Sequence, residues 1–170
     1  MIPEQPLYKA YEYIHYSTSG VSAIDLSRTY QQTAEKLAFH TPNGLWVSVI
    51  GNNDWEKYCI KTDTRPENLK SEFQVLLKPD AKILYLNSKT AFEDFEKEYG
   101  YYADGVAVHG ENYTLDLSIK WERIISNFQG IVVPTVLPKL YNMGLWYDTW
   151  CCTSGCIWDL QAVEKAEKLP

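Results

Sequence analysis

The residues of this chain best suited to chemistry meet at one strand end. Ile14-His15-Tyr16-Ser17-Thr18 brings an imidazole and three hydroxyls to the point where an extended run stops at the turn cluster Ser17-Thr18-Ser19-Gly20. A second piece is Asn43-Gly44-Leu45-Trp46-Val47-Ser48, where a glycine lets backbone approach a ligand and an aromatic ring follows. A third is the late strand Gly130–Val133 with an aromatic loop, Leu145–Trp150, and then Ser154-Gly155-Cys156-Ile157-Trp158. The common catalytic signatures are absent: no Walker loop, no G-x-G-x-x-G, no G-x-S-x-G elbow and no H-E-x-x-H.

Metal and thiol chemistry find less support. The histidines are His15, His40 and His109, too few for a histidine-rich metal site, and no metal ligand is assigned. Cys59, Cys151, Cys152 and Cys156 read as reduced thiols, since no secretory signal precedes them. Three thiolates with His109 are a conceivable zinc set, and buried apolar cysteines are the plainer reading. A cysteine hydrolase built on Cys151, Cys152 or Cys156 with His109 lacks a helix start after the thiols to lower their pKa.

The elements that must position these residues fit one domain over 1–170, long enough to bury a core without disulfides. Six Trp and thirteen Tyr suit half-buried positions such as pocket walls, or simply a core. The net charge of −6 is spread along the chain with no Lys/Arg stripe, which gives non-specific nucleic-acid binding no support. Met1-Ile2-Pro3-Glu4-Gln5-Pro6 has neither the basic nor the apolar part of a signal peptide, and no apolar run reaches bilayer length. A cytoplasmic protein with no membrane partner is the expectation.

Along the chain, Leu7–Tyr16 reads as a strand, and Asp25 or Ser27 as the cap of a helix over Arg28–Phe39. Leu45–Ile50 reads as a buried strand, and Asp54 caps a short helix over Trp55–Cys59. Phe73–Leu77 and Ile83–Leu86 read as strands joined around Lys78-Pro79-Asp80. Ser88 or Thr90 opens the clearest helix, with Thr90-x-x-Glu93 as a capping box, Phe92, Phe95 and Tyr99 as its apolar face and Gly100 at its end. Asp104–Gly110 reads as a strand or hairpin, and Leu115–Ile125 as ambiguous with a short helix leading into Phe128. Gln129–Pro134 and Cys156–Leu160 read as strands, and the polar tail to Lys168 as helical. Such irregular alternation predicts an α+β fold with a mixed or antiparallel two-sheet core and short flanking helices.

The strand-end His-Tyr, the Gly-Leu-aromatic-x-Ser strand and the late strand pair together resemble the ADP-ribosyltransferase fold. The likeness is to the branch with a histidine in its first motif, the diphtheria toxin and poly(ADP-ribose) polymerase type. The resemblance implies a protein that takes NAD as substrate and transfers ADP-ribose to a macromolecular acceptor, a protein. It implies that His15 grips the ribose and that Gly44 and Leu45 bring backbone to the nicotinamide amide. Tyr16, Trp46 or Trp55 would stack, with Ser17 and Ser48 as hydroxyl partners. The chain departs from the pattern at the third motif, where the family's Glu is replaced by Ser154-Gly155. Cleaving the N-glycosidic bond of NAD builds positive charge on the ribose, and a carboxylate there stabilises it. Asp148, in the preceding loop, and Asp159 are the nearest acids in sequence; Asp148 is the expected one, with His15 and Ser154 completing the catalytic set. With no carboxylate in reach, the site would only bind. The alternative is a non-catalytic module that recognises a protein or glycan through the aromatics of Tyr141–Trp150.

Overall fold

The computed structural model describes residues 11–17, 20–33, 42–64, 70–109, 112–136, 145–147 and 150–170. Among them run nine strands: β1 (Tyr13–Ser17), β2 (Leu45–Val49), β3 (Ser71–Leu77), β4 (Ile83–Tyr85), β5 (Gly100–His109), β6 (Asn112–Ile119), β7 (Gly130–Val133), β8 (Ser154–Ile157) and β9 (Val163–Lys168). Three helices accompany them: α1 (Trp55–Thr62), α2 (Lys89–Tyr99) and α3 (Trp121–Ile125). The fold is α+β. Seven strands form one sheet in the order β4-β7-β8-β2-β1-β3-β9, and β5-β6 form a separate hairpin. Every pairing is antiparallel except β4 with β7.

The sheet curls, and its connections require it. β3 and β4 are joined by the short turn 78–82, yet they stand towards opposite ends of the strand order. They can do so only if the two ends of the sheet approach each other. The hydroxyls of Tyr13 on β1 and Tyr85 on β4 accordingly meet at 3.1 Å. Period-two alternation sends Leu45, Val47 and Val49 of β2, Val75 of β3, Ile83 of β4, Val132 of β7 and Ile157 of β8 to the concave side, where they form one core. Gly155 takes part in the same row, opposite Val47 and Val132. A Cβ there would lie 2.8 Å from Val132 Cγ2 and 2.9 Å from the Ile131 carbonyl oxygen, so close packing excludes any side chain.

The convex side carries the second core. Ile131, Val133 and Cys156 pack there against Phe92, Phe95 and Tyr99 of α2, Trp121 and Ile124 of α3, and Trp146, Tyr147 and Trp150. The spacing of Phe92, Phe95 and Tyr99 that marks α2 as amphipathic is thus the face it buries. Each such ring, fully buried, contributes roughly 1.5–3 kcal/mol.

Several local expectations are met and others give way. Asp54 caps α1, accepting from Lys57 N–H at 2.9 Å, and the helix runs three residues past Cys59, to Thr62. Ser88 is the cap of α2, accepting from Ala91 N–H at 3.2 Å; Thr90 lies inside the helix, and Glu93 pairs with Lys89 at 3.5 Å. Gly100 ends α2 in extended backbone (φ −75°) and begins β5 directly. The ambiguous stretch divides at Lys120, strand before it and helix after. The two strands around Lys78-Pro79-Asp80 do not pair with each other: β3 lies between β1 and β9, and β4 runs parallel to β7.

The polar tail is a strand rather than a helix. Phe73↔Lys168 and Val75↔Ala166 add it to the sheet beside β3, where backbone pairing outweighs the helix propensity of Glu, Lys and Ala. Helix is likewise absent from the described part of Arg28–Phe39. Asp25 Oδ1 instead accepts from Ser27 N–H at 2.9 Å and Ser27 O–H at 2.6 Å, a local turn that competes with helix; residues 34–41 lie outside the described set. Residues 7–10 of the first strand are also outside it.

Candidate functional site

β1 and β2 pair for only two positions, Tyr13↔Val49 and Ile14↔Ser48. Beyond them β1 continues along β3 to Ser17↔Ser71, and β2 continues along β8 back to Leu45↔Ile157. The ladder therefore forks in the middle of the sheet. Ser48 stands at the apex of the fork, with His15, Tyr16 and Ser17 on one arm and Gly44, Leu45, Trp46 and Val47 on the other. The first two sequence pieces singled out for chemistry are thus brought side by side.

His15 bridges the arms. Its Nδ1 lies 2.7 Å from the backbone carbonyl of Trp46. A carbonyl oxygen only accepts, so Nδ1 carries the proton, and in the neutral ring Nε2 is left as an acceptor. Burial holds the imidazole below its ordinary pKa, with the Trp46 carbonyl pulling weakly the other way, so neutral is the form favoured. The ring also packs near Phe73, its partner across β3, at 6.3 Å between centroids. The arrangement is a hydrogen-bond acceptor of fixed tautomer where backbone pairing has been given up.

Alternation puts Tyr16 and Trp46 on the convex side of the fork. Trp46 is half-buried and meets Trp150 at 5.1 Å between centroids, inclined at 52°. Trp55, the first residue of α1, stacks on Tyr58 at 5.6 Å. Ser48 Oγ accepts from Trp55 N–H at 2.9 Å, which ties the start of α1 to the apex. The hydroxyl expected to meet a ligand thus already serves a helix end. The Tyr16 hydroxyl is pushed up by burial and then by the negative charges of Glu56, Glu72 and Asp54. Burial alone would raise Asp54, but hydrogen bonds from Lys57 and Gly51 outweigh it and hold its carboxylate below the usual range.

Gly44 and Leu45 have packing reasons of their own. A Cβ on Gly44 would lie 2.6 Å from Cys156 Sγ and 2.7 Å from the Ile157 carbonyl oxygen, so the glycine here admits β8. Leu45, 3% exposed, belongs to the concave core, which leaves its backbone as the part near the fork.

The third piece joins the other two through β8, which lies next to β2. Ser154 pairs with Ser48 and is buried, its hydroxyl donating to the Cys152 carbonyl at 3.1 Å. Asp148 lies outside the described residues. Asp159 is engaged elsewhere, accepting from Gln129 Nε2 at 2.8 Å and Gln161 N–H at 3.0 Å. All four cysteines are thiols. Hydrogen bonding to Cys151 and burial push Cys152 well up, and burial does the same to Cys156, so neither is a ready thiolate. Among the described residues no three His, Cys, Asp or Glu side chains gather to hold a metal ion. His109 belongs to β5 in the separate hairpin.

The aromatic loop is core where it is described. Trp146, Tyr147 and Trp150 are 0%, 1% and 1% exposed, and Trp146 Nε1 donates to Glu96 at 3.0 Å. Two residues near the fork escaped the sequence reading: Glu72, which faces Tyr16 from β3, and Glu56 supply charge around that hydroxyl, while Trp150, at the end of the aromatic loop already singled out, meets Trp46. The alternation of buried Ser71, Phe73 and Val75 shows that Glu72 takes the other face, but only the register names its neighbour.

No helix among the described residues is long and apolar enough to cross a membrane. Comparison with protein-family models, with curated proteins and with solved structures yields no match to the chain.

Proposed function

We propose that the fork between β1 and β2 binds NAD and that the protein transfers ADP-ribose to a macromolecular acceptor, a protein. The observation that carries this reading is His15: a neutral imidazole, its Nδ1 fixed on the Trp46 carbonyl, with Nε2 left to accept from a ribose hydroxyl. Further support comes from the adjacency of β1, β2 and β8, which carry His15-Tyr16-Ser17, Leu45–Ser48 and Ser154–Ile157. Tyr16 and Trp46 on the arms of the fork, and Trp55 tied to its apex through Ser48, are the rings this reading assigns to stack on the nicotinamide, with Ser17 and the backbone of Gly44 and Leu45 as its further contacts.

In the transfer, the bond between nicotinamide nitrogen and ribose C1′ breaks, nicotinamide leaves, and an acceptor nucleophile bonds to C1′. Positive charge gathers on the ribose in between and calls for a carboxylate. Asp148 is the acid the sequence offers. Ser154, with its hydroxyl turned to the Cys152 carbonyl, fits a supporting role for the β8 end rather than that of an acid.

A thermal melt with and without millimolar NAD, paired with transfer of label from NAD carrying a tagged adenosine, tests the reading. NAD should raise the melting temperature of the wild type and not that of His15→Ala; Asp148→Ala should keep the rise and lose the label. An unchanged wild-type melt with no label on any protein sinks the proposal.

A further inference from the structure

Trp150 carries the clearest unanswered polar group among the described residues. It is 1% exposed, and its Nε1 is the one buried side-chain nitrogen or oxygen among the described residues without a hydrogen-bond partner. Two other buried tryptophans have theirs: Trp146 donates to Glu96 at 3.0 Å, and Trp158 donates to the Phe128 carbonyl at 2.6 Å. A buried N–H left unpaired costs stability, and in a native fold it asks for a reason. Its place supplies one. The Trp150 ring packs at 5.1 Å against Trp46, the half-buried ring whose own carbonyl receives the His15 proton.

We infer that the Trp150 indole N–H is a recognition donor for the carboxamide oxygen of a nicotinamide ring held against Trp46. The inference rests on the NAD reading and deepens it. An indole N–H donates only, so its complement is an acceptor oxygen or ring nitrogen and never an ammonium. The ring that Trp150 meets, Trp46, is aromatic, which suits a flat ligand ring; a pyridinium is further favoured over the face of Trp46 by its positive charge. Nicotinamide offers both features, a cationic ring in NAD and a carbonyl on it. Since Trp46 is the partly exposed member of the pair, the ligand comes from its side, and its carboxamide supplies the acceptor that the Trp150 N–H lacks. A site built to pair such a group also rejects analogues lacking it, because the donor is then buried unpaired.

Titration calorimetry with NAD, with ADP-ribose (the same dinucleotide without nicotinamide) and with free nicotinamide reads this directly. The proteins compared are the wild type, Trp150→Phe, and a variant carrying benzothienylalanine at position 150, which keeps the bicyclic shape and lacks the N–H. The expected result is a drop of about tenfold in affinity for NAD and nicotinamide in both variants, with ADP-ribose affinity unchanged. If Trp150→Phe fails to fold, the isosteric variant alone decides. Equal losses for NAD and ADP-ribose would place the donor on adenine or in general packing and overturn the inference. No loss for either would mean that the N–H serves only the fold, and would overturn it as well. If the wild type binds neither dinucleotide, the NAD reading falls first and takes the inference with it. Binding of ADP-ribose with normal NAD affinity in the variants removes only the role of Trp150.

Discussion

The two sides of β2 solve the same problem in opposite ways. Towards β8 its backbone pairs at four positions, Leu45↔Ile157 to Ser48↔Ser154, with Gly44 at its start admitting β8 where a side chain would collide. Towards β1 it pairs at two and then parts, and a histidine side chain takes over the carbonyl of Trp46. One side is closed by backbone pairing; the other is held by an imidazole whose second nitrogen is left as an acceptor. A ligand site needs the second kind of junction, because ordered backbone hydrogen bonds leave nothing to offer a ligand. The difference predicts that damage to the β8 side appears as lost stability and damage to the β1 side as lost binding.

The largest effect belongs to the closed side. Gly155→Ala sets a methyl against the Ile131 carbonyl oxygen and Val132, and overpacking of this kind costs about 1–3 kcal/mol. For a chain of this size about 1 kcal/mol moves the melting temperature by about 2–4 °C, so a fall of several degrees is expected in a thermal scan. Gly44→Ala should fall with it, since its methyl meets Cys156 Sγ and Ile157. A Gly44→Ala protein as stable as the wild type would show that the β2/β8 junction has slack and would dissolve the contrast.

The open side should answer to pH. The folded pKa of His15 lies below the unfolded value of about 6.5. Between those two values the unfolded chain binds the proton and the folded chain does not, so stability rises with pH across that window. It is lost as pH falls from about 6.5 towards the folded pKa, at up to about 1.4 kcal/mol per pH unit. His15→Gln cannot take up the proton and should flatten this slope in denaturant titrations from pH 7 to 5. The depressed Asp54 acts in the same direction, but its window lies below the ordinary carboxylate range. Equal slopes for the two proteins would mean that the His15 ring titrates normally and that the fork is wetter than its packing implies.

The sequence made the arms of the fork legible but not the fork. Ile14-His15-Tyr16-Ser17 and Gly44–Ser48 could be read as strands ending in polar or aromatic groups because alternation and turn residues are local signals. That the two strands lie side by side and part after Ile14 and Ser48 depends on register, which the curl of the whole sheet fixes. The tail Val163–Lys168 shows the same boundary. Its composition favours helix, and only an open edge on β3 turns it into a strand. The aromatic run before β8 read equally well as surface or core, and the burial of Trp146, Tyr147 and Trp150 follows from α2 and α3 covering the convex face. Helix caps fared better, since Asp54 and Ser88 act within three residues of themselves.

Ser48 belongs to both sides of the comparison and gives the smallest and sharpest effect. It pairs with Ile14 on the fork side and with Ser154 on the closed side, and its hydroxyl accepts from Trp55 N–H at the start of α1. Ser48→Ala removes one hydrogen bond at a helix end, a change worth about 1 kcal/mol, or about 2–4 °C in the melt. If the hydroxyl serves only the helix, the NAD-induced rise in melting temperature should be the same size as in the wild type, starting from a lower base. If the same hydroxyl also donates to the ligand, as the resemblance assigns it, the rise itself shrinks. The two outcomes separate on one plot of melting temperature against NAD concentration, because a baseline offset and a change in midpoint are independent there. The geometry favours the offset: the one contact made by the Ser48 hydroxyl in the free protein is with the backbone it anchors.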